Sequence, residues 1–448
     1  MKGIKKFPIG GTHLPENKDL TTGSPVRPCP QPRTVAIPLK QHLGVPCRAV
    51  VKPGDTVEAG QLIGMNDQGL SARIHASIGG TVTAIEKRGM LDRSEVECVV
   101  IENSSPGTAA LDWQSSRFGG ADAPVPDAAT VCKLVEEAGI VGLGGASFPT
   151  HVKLNVKPDQ AIDSVIINGA ECEPYITTDD RLMQERAAEL FRGLEIIRQT
   201  VGAKRGYVAS EINKPEAIRC IAAEAERWPA LSAVRLDTRY PHGAEKHLIK
   251  AVLKREVPIR KLPMSVGAIV NNVQTAIAVA EAVDLSLPLV TRVLTVSGSM
   301  VKEPGNFLVP LGTSLRDVVA AAGGAIGEDY RLVVGGPMTG TLTEEYDIPV
   351  TKGTSGIVLI RHEEYADRSA EVCIRCGRCV SVCPMYLQPN RITAFVRNDM
   401  IEEAEEFGVN DCILCGACSY VCPSRRPLLQ WLREGKAESA RLAQARTK

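Results

Sequence analysis

Eight of the fourteen cysteines fall into two copies of one spacing, Cys373-x2-Cys376-x2-Cys379-x3-Cys383-Pro384 and Cys412-x2-Cys415-x2-Cys418-x3-Cys422-Pro423. Thiolates at this short interval, closed by Cys-Pro, are the ligand pattern of cubane iron–sulfur clusters. Three neighbouring cysteines grip one cluster and the fourth reaches across to the other. On that rule Cys373, Cys376, Cys379 and Cys422 hold one [4Fe–4S] cluster, and Cys412, Cys415, Cys418 and Cys383 hold the second. Structural zinc takes two CxxC pairs, which a third cysteine at the same interval does not suit. A disulfide framework fits less well still, because 448 residues can bury cores without covalent staples. Gly377, Gly416 and Ala417 let backbone approach a cluster closely. The sequence therefore expects a chain that moves electrons.

A chain of this length exceeds one core, and about two to four domains are expected. Hydrophobic residues make up 44% and the formal net charge is zero, the balance of a soluble globular protein without a general surface for nucleic acid. No apolar run approaches the length that a transmembrane helix needs. Lys2, Lys5 and Lys6 are followed by Phe7-Pro8-Ile9-Gly10-Gly11 instead of an apolar core segment, so no signal peptide is expected. The other six cysteines have no ligand spacing and read as buried thiols in a reducing cytoplasm.

Residues 1–32 are rich in Gly and Pro and read as an ordered arm, neither helix nor strand, with His13 read either as fixing a loop by a hydrogen bond or as a functional residue. From 33 to 105 short strands alternate with tight turns. Gly54-Asp-Thr-Val, Gly60-Gln-Leu-Ile and Gly79-Gly-Thr-Val resemble the barrel-sandwich hybrid of lipoyl and biotinyl carriers, but no lysine lies between Pro53 and Glu86 to carry a cofactor. A linker follows over 106–127. Residues 128–285 alternate β-branched runs with amphipathic helices over 130–139, 187–201, 215–228 and 245–255, which predicts an α/β domain on a mainly parallel sheet. Residues 288–360 return to strands and Gly turns around one helix, as in a small β-grasp module. The cluster module spans 365–427 and resembles a ferredoxin with an insert, helical over 391–407. A basic tail, 428–448, closes the chain; from Arg425 onward seven basic residues stand against two acidic ones. It reads equally as a solvated tail or as a docking segment for an acidic membrane surface.

The second chemical signal is Gly139-Ile-Val-Gly142-Leu-Gly144-Gly145-Ala-Ser-Phe148-Pro-Thr150, followed by Lys153. Glycines this dense bare backbone N–H groups for an anion, although such loops also serve packing. It is neither a Walker A sequence nor the spaced Rossmann fingerprint. A strand then ends in Asn168-Gly169-Ala170-Glu171-Cys172-Glu173-Pro174, and polar groups at that end of a parallel strand sit where α/β sheets bind ligands. Val270-Asn271-Asn272-Val273-Gln274-Thr275 opens a helix, where an asparagine also serves as an N-cap.

Together these three segments resemble the flavin-binding subunit of respiratory complex I. With the Gly-Gly-Thr-His-Leu-Pro arm, the barrel-sandwich segment and the two cysteine runs, the whole chain is similar to the RnfC family, the peripheral NADH-oxidising subunits of ion-translocating ferredoxin:NAD oxidoreductases of the Rnf type. That resemblance implies FMN contacts from Gly142, Gly144, Gly145, Lys153, Asn168, Asn271, Asn272 and Thr275. It places Glu171, Glu173 and Phe148 nearer NAD(H). It implies integral-membrane and iron–sulfur partner subunits, ferredoxin as an indirect partner, and a peripheral place on the cytoplasmic face of a bacterial inner membrane. No acid–base residue is expected, because a flavin supplies the hydride chemistry. The chain departs from complex I at Val141 and Leu143, where complex I has arginines, and it lacks the Ala/Lys-rich C-terminal extension of many RnfC proteins. Two other readings share parts of the pattern: a soluble cobalamin reductase, and a flavin-free electron-wiring subunit.

Overall fold

The computed structural model describes residues 3–105, 118–157, 160–365 and 370–446. The linker reading over 106–127 lies largely outside them. Between 33 and 105, two small sheets close over a core of Val35, Ile37, Ile63, Ile74, Val82 and Ile101, all completely buried. One runs Thr34–Pro38, Glu95–Asn103, Gly80–Gly89, Thr56–Val57, and the other Arg48–Ala49, Leu62–Met65, Ile74–His75. The strands bury their apolar residues in this shared core, which makes the expected sandwich.

The central domain is built on a four-stranded sheet ordered Leu231–Leu236, Arg205–Glu211, Ser164–Gly169, Ala268–Asn272, every pair parallel. Asp127 caps the helix Ala128–Glu137 through Thr130 N at 3.0 Å. That helix stops where Gly139 takes φ +66°. The helix Val273–Leu285 is apolar on nearly every side and is accordingly buried almost throughout, packed on Ala187–Thr200. Arg192 is only 2% exposed, and its charge is met by a bidentate pair with Asp284 and by the carbonyls of Ala123 and Pro124.

Residues 288–360 form the expected sheet, with a parallel pair (Thr291–Ser297 with Gly356–Arg361) at its centre and Leu315–Ala321 as its helix. Here the structure corrects the sequence reading. The arm is not strandless: Val26–Pro28 adds a parallel edge strand to Gly305–Pro310. Nor does His13 tie the arm down. Thr12 and Tyr240 exchange backbone hydrogen bonds at 2.8 and 2.9 Å, and Gly11 N donates to Val382 O at 2.8 Å.

The two cysteine runs fold alike. Arg375 and Leu414 take φ +55°, Gly377 and Gly416 take +76° and +77°, and Tyr386 and Arg425 take +57° and +52°. The insert forms two helices, Pro389–Val396 and Ile401–Glu406, broken around Asp399 at φ +56°. The basic tail is also a correction. It is a helix, Leu428–Arg446, whose Leu428, Leu432 and Gly435 are buried against the insert. It belongs to the cluster domain.

Candidate functional site

A cleft of about 760 Å³ opens where the α/β domain, the β-grasp module and the cluster domain meet. Gly144, Gly145, Asn168, Glu171, Glu173 and Asn272 line it, so one wall joins all three expected segments. Ile413 and Cys415 of the second cysteine run form another part of the wall.

The glycine loop is a closed turn. Val141 pairs with Pro149, and Gly142 N donates to Phe148 O at 2.9 Å. Thr275 Oγ1 accepts from Leu143 N at 2.9 Å and fixes the loop to the following helix. At Gly144 a side chain would stand 2.8 Å from Asn272 Cβ, a close approach that only glycine allows. Gly145 faces open space. Asn272 caps its helix through Gln274 N at 2.9 Å and donates to Asp179 Oδ2 at 2.7 Å. Asn168 joins the strand end to the opposite wall through Gly243 O at 2.8 Å.

Five expected contacts stand behind that wall. Gly142, Phe148 and Thr275 shape the loop. Lys153 donates to Val270 O and pairs with Glu245 at 3.7 Å, and Glu245, not Lys153, lines the cleft. Asn271 is buried with its Nδ2 donor lacking a protein partner.

The two glutamates differ most from expectation. Both line the cleft, yet their carboxylates are engaged by protein. Glu171 accepts from Asp179 N, Asp180 N and Thr178 Oγ1 at 2.6–3.2 Å, capping Thr178–Glu185. Glu173 accepts from Met338 N at 3.1 Å and Thr339 Oγ1 at 2.5 Å, clasping the β-grasp turn. Burial pushes the Glu171 and Asp179 carboxyls up, opposed by Lys18 at the first and by Arg292 at the second. Lys18, from the arm, donates to the carbonyls of Glu173 and Ile176.

Sequence reasoning missed Arg292, Asp179, Tyr240, His247 and the turn Gly335–Gly340. Arg292 is buried, bonds Leu143 O at 2.6 Å and Thr354 O at 2.8 Å, and keeps one N–H group, Nη1, without a protein partner beside the cleft. Tyr240 O–H donates to Cys415 O at 2.6 Å, and a ring nitrogen of His247 bonds Pro384 O at 2.8 Å. The turn 335–340 was visible as a glycine cluster. The isolated side chains carried no local signal.

The thiols group across the two runs. Cys383 stands with Cys412, Cys415 and Cys418 around a small pocket, each of these three within its electrostatic reach. Cys379 feels Cys422 and Cys373 in the same way, and Cys376 is exposed. Cys383 thus lies near the thiols of the second run, and Cys422 near those of the first. Among the described residues no three His, Cys, Asp or Glu side chains converge tightly enough for a single metal ion. The donor sets fit clusters: soft thiolates only, on glycine-bearing loops. The cleft fits a flavin nucleotide in size, in its baring of backbone at Gly144 and Gly145, and in the unpaired Arg292 donor on its wall.

Fold and site together define a multidomain iron–sulfur flavoprotein of the complex I type. Residues 135–281 match the Nuo51 FMN-binding domain, 6–106 the RnfC barrel sandwich hybrid domain, 293–342 the SLBB domain, and 369–425 a 4Fe–4S dicluster domain. Among its relatives are RnfC-type components of three ion-translocating complexes. The chain is 42% identical to that of the Na(+)-translocating ferredoxin:NAD(+) oxidoreductase complex of Acetobacterium woodii, over 96% of each chain. It is 41% identical to that of the proton-translocating ferredoxin:NAD(+) oxidoreductase complex of Clostridium ljungdahlii, over 97% of this chain and 94% of that one. With that of the ion-translocating oxidoreductase complex of Rhodobacter capsulatus it shares 38%, over 91% and 78%. The chain belongs to the RnfC family.

Proposed function

We propose that this chain is the peripheral subunit of an Rnf-type ion-translocating complex that exchanges electrons between NAD(H) and partner subunits. The observation that carries the reading is the shared wall: the cleft bearing Gly144, Gly145 and Asn272 is also bounded by Ile413 and Cys415 of a cluster-binding run. FMN bound there supplies the conversion between a two-electron hydride and one-electron carriers. Gly144, Gly145, Asn168, Asn272 and Arg292 would hold it, Gly142, Phe148 and Thr275 would keep the loop in shape, and Lys153 would act through Glu245. Cys383, Cys412, Cys415 and Cys418 would hold the cluster facing the flavin. Cys373, Cys376, Cys379 and Cys422 would hold the other, whose exposed Cys376 suits the exit towards a partner. Tyr240 supports this order, because it lines the cleft and bonds the Cys415 carbonyl.

The partners are the integral-membrane and iron–sulfur subunits of the complex, with ferredoxin reached indirectly, and the place is the cytoplasmic face of the inner membrane. Among the described residues no helix is long and apolar enough to cross a membrane, which suits attachment through those partners. The test is anaerobic addition of NADH to the purified chain. Bleaching of a bound flavin followed by reduction of iron–sulfur absorbance is expected. Absent flavin, or flavin that NADH leaves oxidised, would sink the proposal in favour of a flavin-free wiring protein.

A further inference from the structure

The basic C-terminal helix touches the flavin-facing cluster site. Lys436 extends its ammonium to Cys412 O at 2.7 Å and Asn410 O at 3.2 Å. Both partners are carbonyl oxygens, so its charge is not consumed by a carboxylate there. Leu432 and Gly435, buried immediately before it, hold this turn of the helix against Val396 and Val409, which keeps the half-buried ammonium in place. Around the same four thiols, two further side chains bond backbone carbonyls, Tyr240 at Cys415 and His247 at Pro384.

We propose that Lys436 is a positioning residue that acts through Cys412 to raise the reduction potential of the cluster held by Cys383, Cys412, Cys415 and Cys418. A cluster gains one negative charge on reduction, and cluster potentials follow local charge and hydrogen bonding. A fixed cation beside a ligand stabilises the reduced form and makes this cluster a better acceptor from the flavin. The assignment rests on the reading of the site given above. A purely structural role, capping the short turn Val409–Asp411, would be moved by different substitutions.

The experiment is a redox titration of the full chain by electron paramagnetic resonance, with iron content measured alongside. Two midpoints are expected in the wild type, and fewer than two clusters there would refute the functional reading itself. Lys436→Gln keeps a donor but removes the charge. We expect it to lower one midpoint and leave the other, with an oxidised-to-reduced ratio at fixed potential changed about tenfold, which is about 59 mV for a one-electron couple. Lys436→Arg should keep the wild-type midpoint. Unmoved midpoints in Lys436→Gln would overturn the tuning role. So would an equal shift of both clusters, a Lys436→Arg protein shifted as far as Lys436→Gln, or loss of iron from Lys436→Gln with its thermal stability, because each marks a structural function.

Discussion

Gly144 and Asn272 sit against each other because the glycine loop and the cap of Val273–Leu285 converge on one wall. A methyl group at Gly144 would lie 2.8 Å from Asn272 Cβ, so Gly144→Ala must push Asn272 off Asp179 and loosen the helix cap. We expect flavin affinity to fall about tenfold or more, some 1.4 kcal/mol, with iron content unchanged. The flavin-to-iron ratio of the purified protein measures it. A second residue, Lys352, is 1% exposed and donates to Arg73 O at 2.8 Å and Gly139 O at 2.6 Å, joining the sandwich to the glycine loop. Burial lowers the pKa of its ammonium from 10.5 to about 7. The folded state therefore binds this proton more weakly than the unfolded chain does. Its contribution to stability is present above pH 10.5 and is lost as pH falls through 7. Thermal melts of wild type and Lys352→Met should show a stability difference that changes as pH rises from about 7 to about 10. A constant difference would contradict it.

At the scale of elements, most helices and the parallel sheet follow from periodicity and caps. Asn272 accepts from a backbone N–H group where the sequence placed a helix start, while Asp127 caps a helix that begins at Ala128, two residues before the expected 130. The helix Thr178–Glu185 was not legible, because its N-terminus is satisfied by the half-buried Glu171 carboxylate, seven to nine residues upstream of the residues it bonds, not by an N-cap side chain. The C-terminal helix was read as a tail for a related reason. Its leucines make a narrow apolar stripe, but the partners of that stripe, Ile392, Val396 and Val409, lie in the insert, outside the helix's own sequence. Leu432→Ala should destabilise the cluster domain by about 2–5 kcal/mol. The expected readout is iron loss at a lower temperature than in wild type, with flavin retained.

For the whole molecule, the decisive arrangement is three domains around one cleft. The arm, Lys18 and Glu173 stitch them together, reaching from the α/β core to the β-grasp turn. Within the cluster domain the ligand swap predicts a crossed phenotype. Cys383→Ser should empty the site of Cys412, Cys415 and Cys418, although those three lie in the other run, and leave the first site loaded. Iron should fall to about half, and one of the two paramagnetic signals should disappear. Loss of the signal from the cluster of Cys373, Cys376, Cys379 and Cys422 would refute the pairing.

Cysteine spacing, glycine density and apolar periodicity act over a few residues. They therefore determined the paired cysteine runs, the domain order, the sandwich without a carrier lysine, and the segments that make the cleft. Direction and partnership of long side chains depend on groups far away in sequence. Only the tertiary structure decided that Glu171 and Glu173 hold backbone, that Lys153 stands behind Glu245, and that Arg292 and Tyr240 reach the cleft. It likewise turned the basic tail into a helix and set Lys436 beside Cys412, because the apolar surface that fixes that helix belongs to other elements.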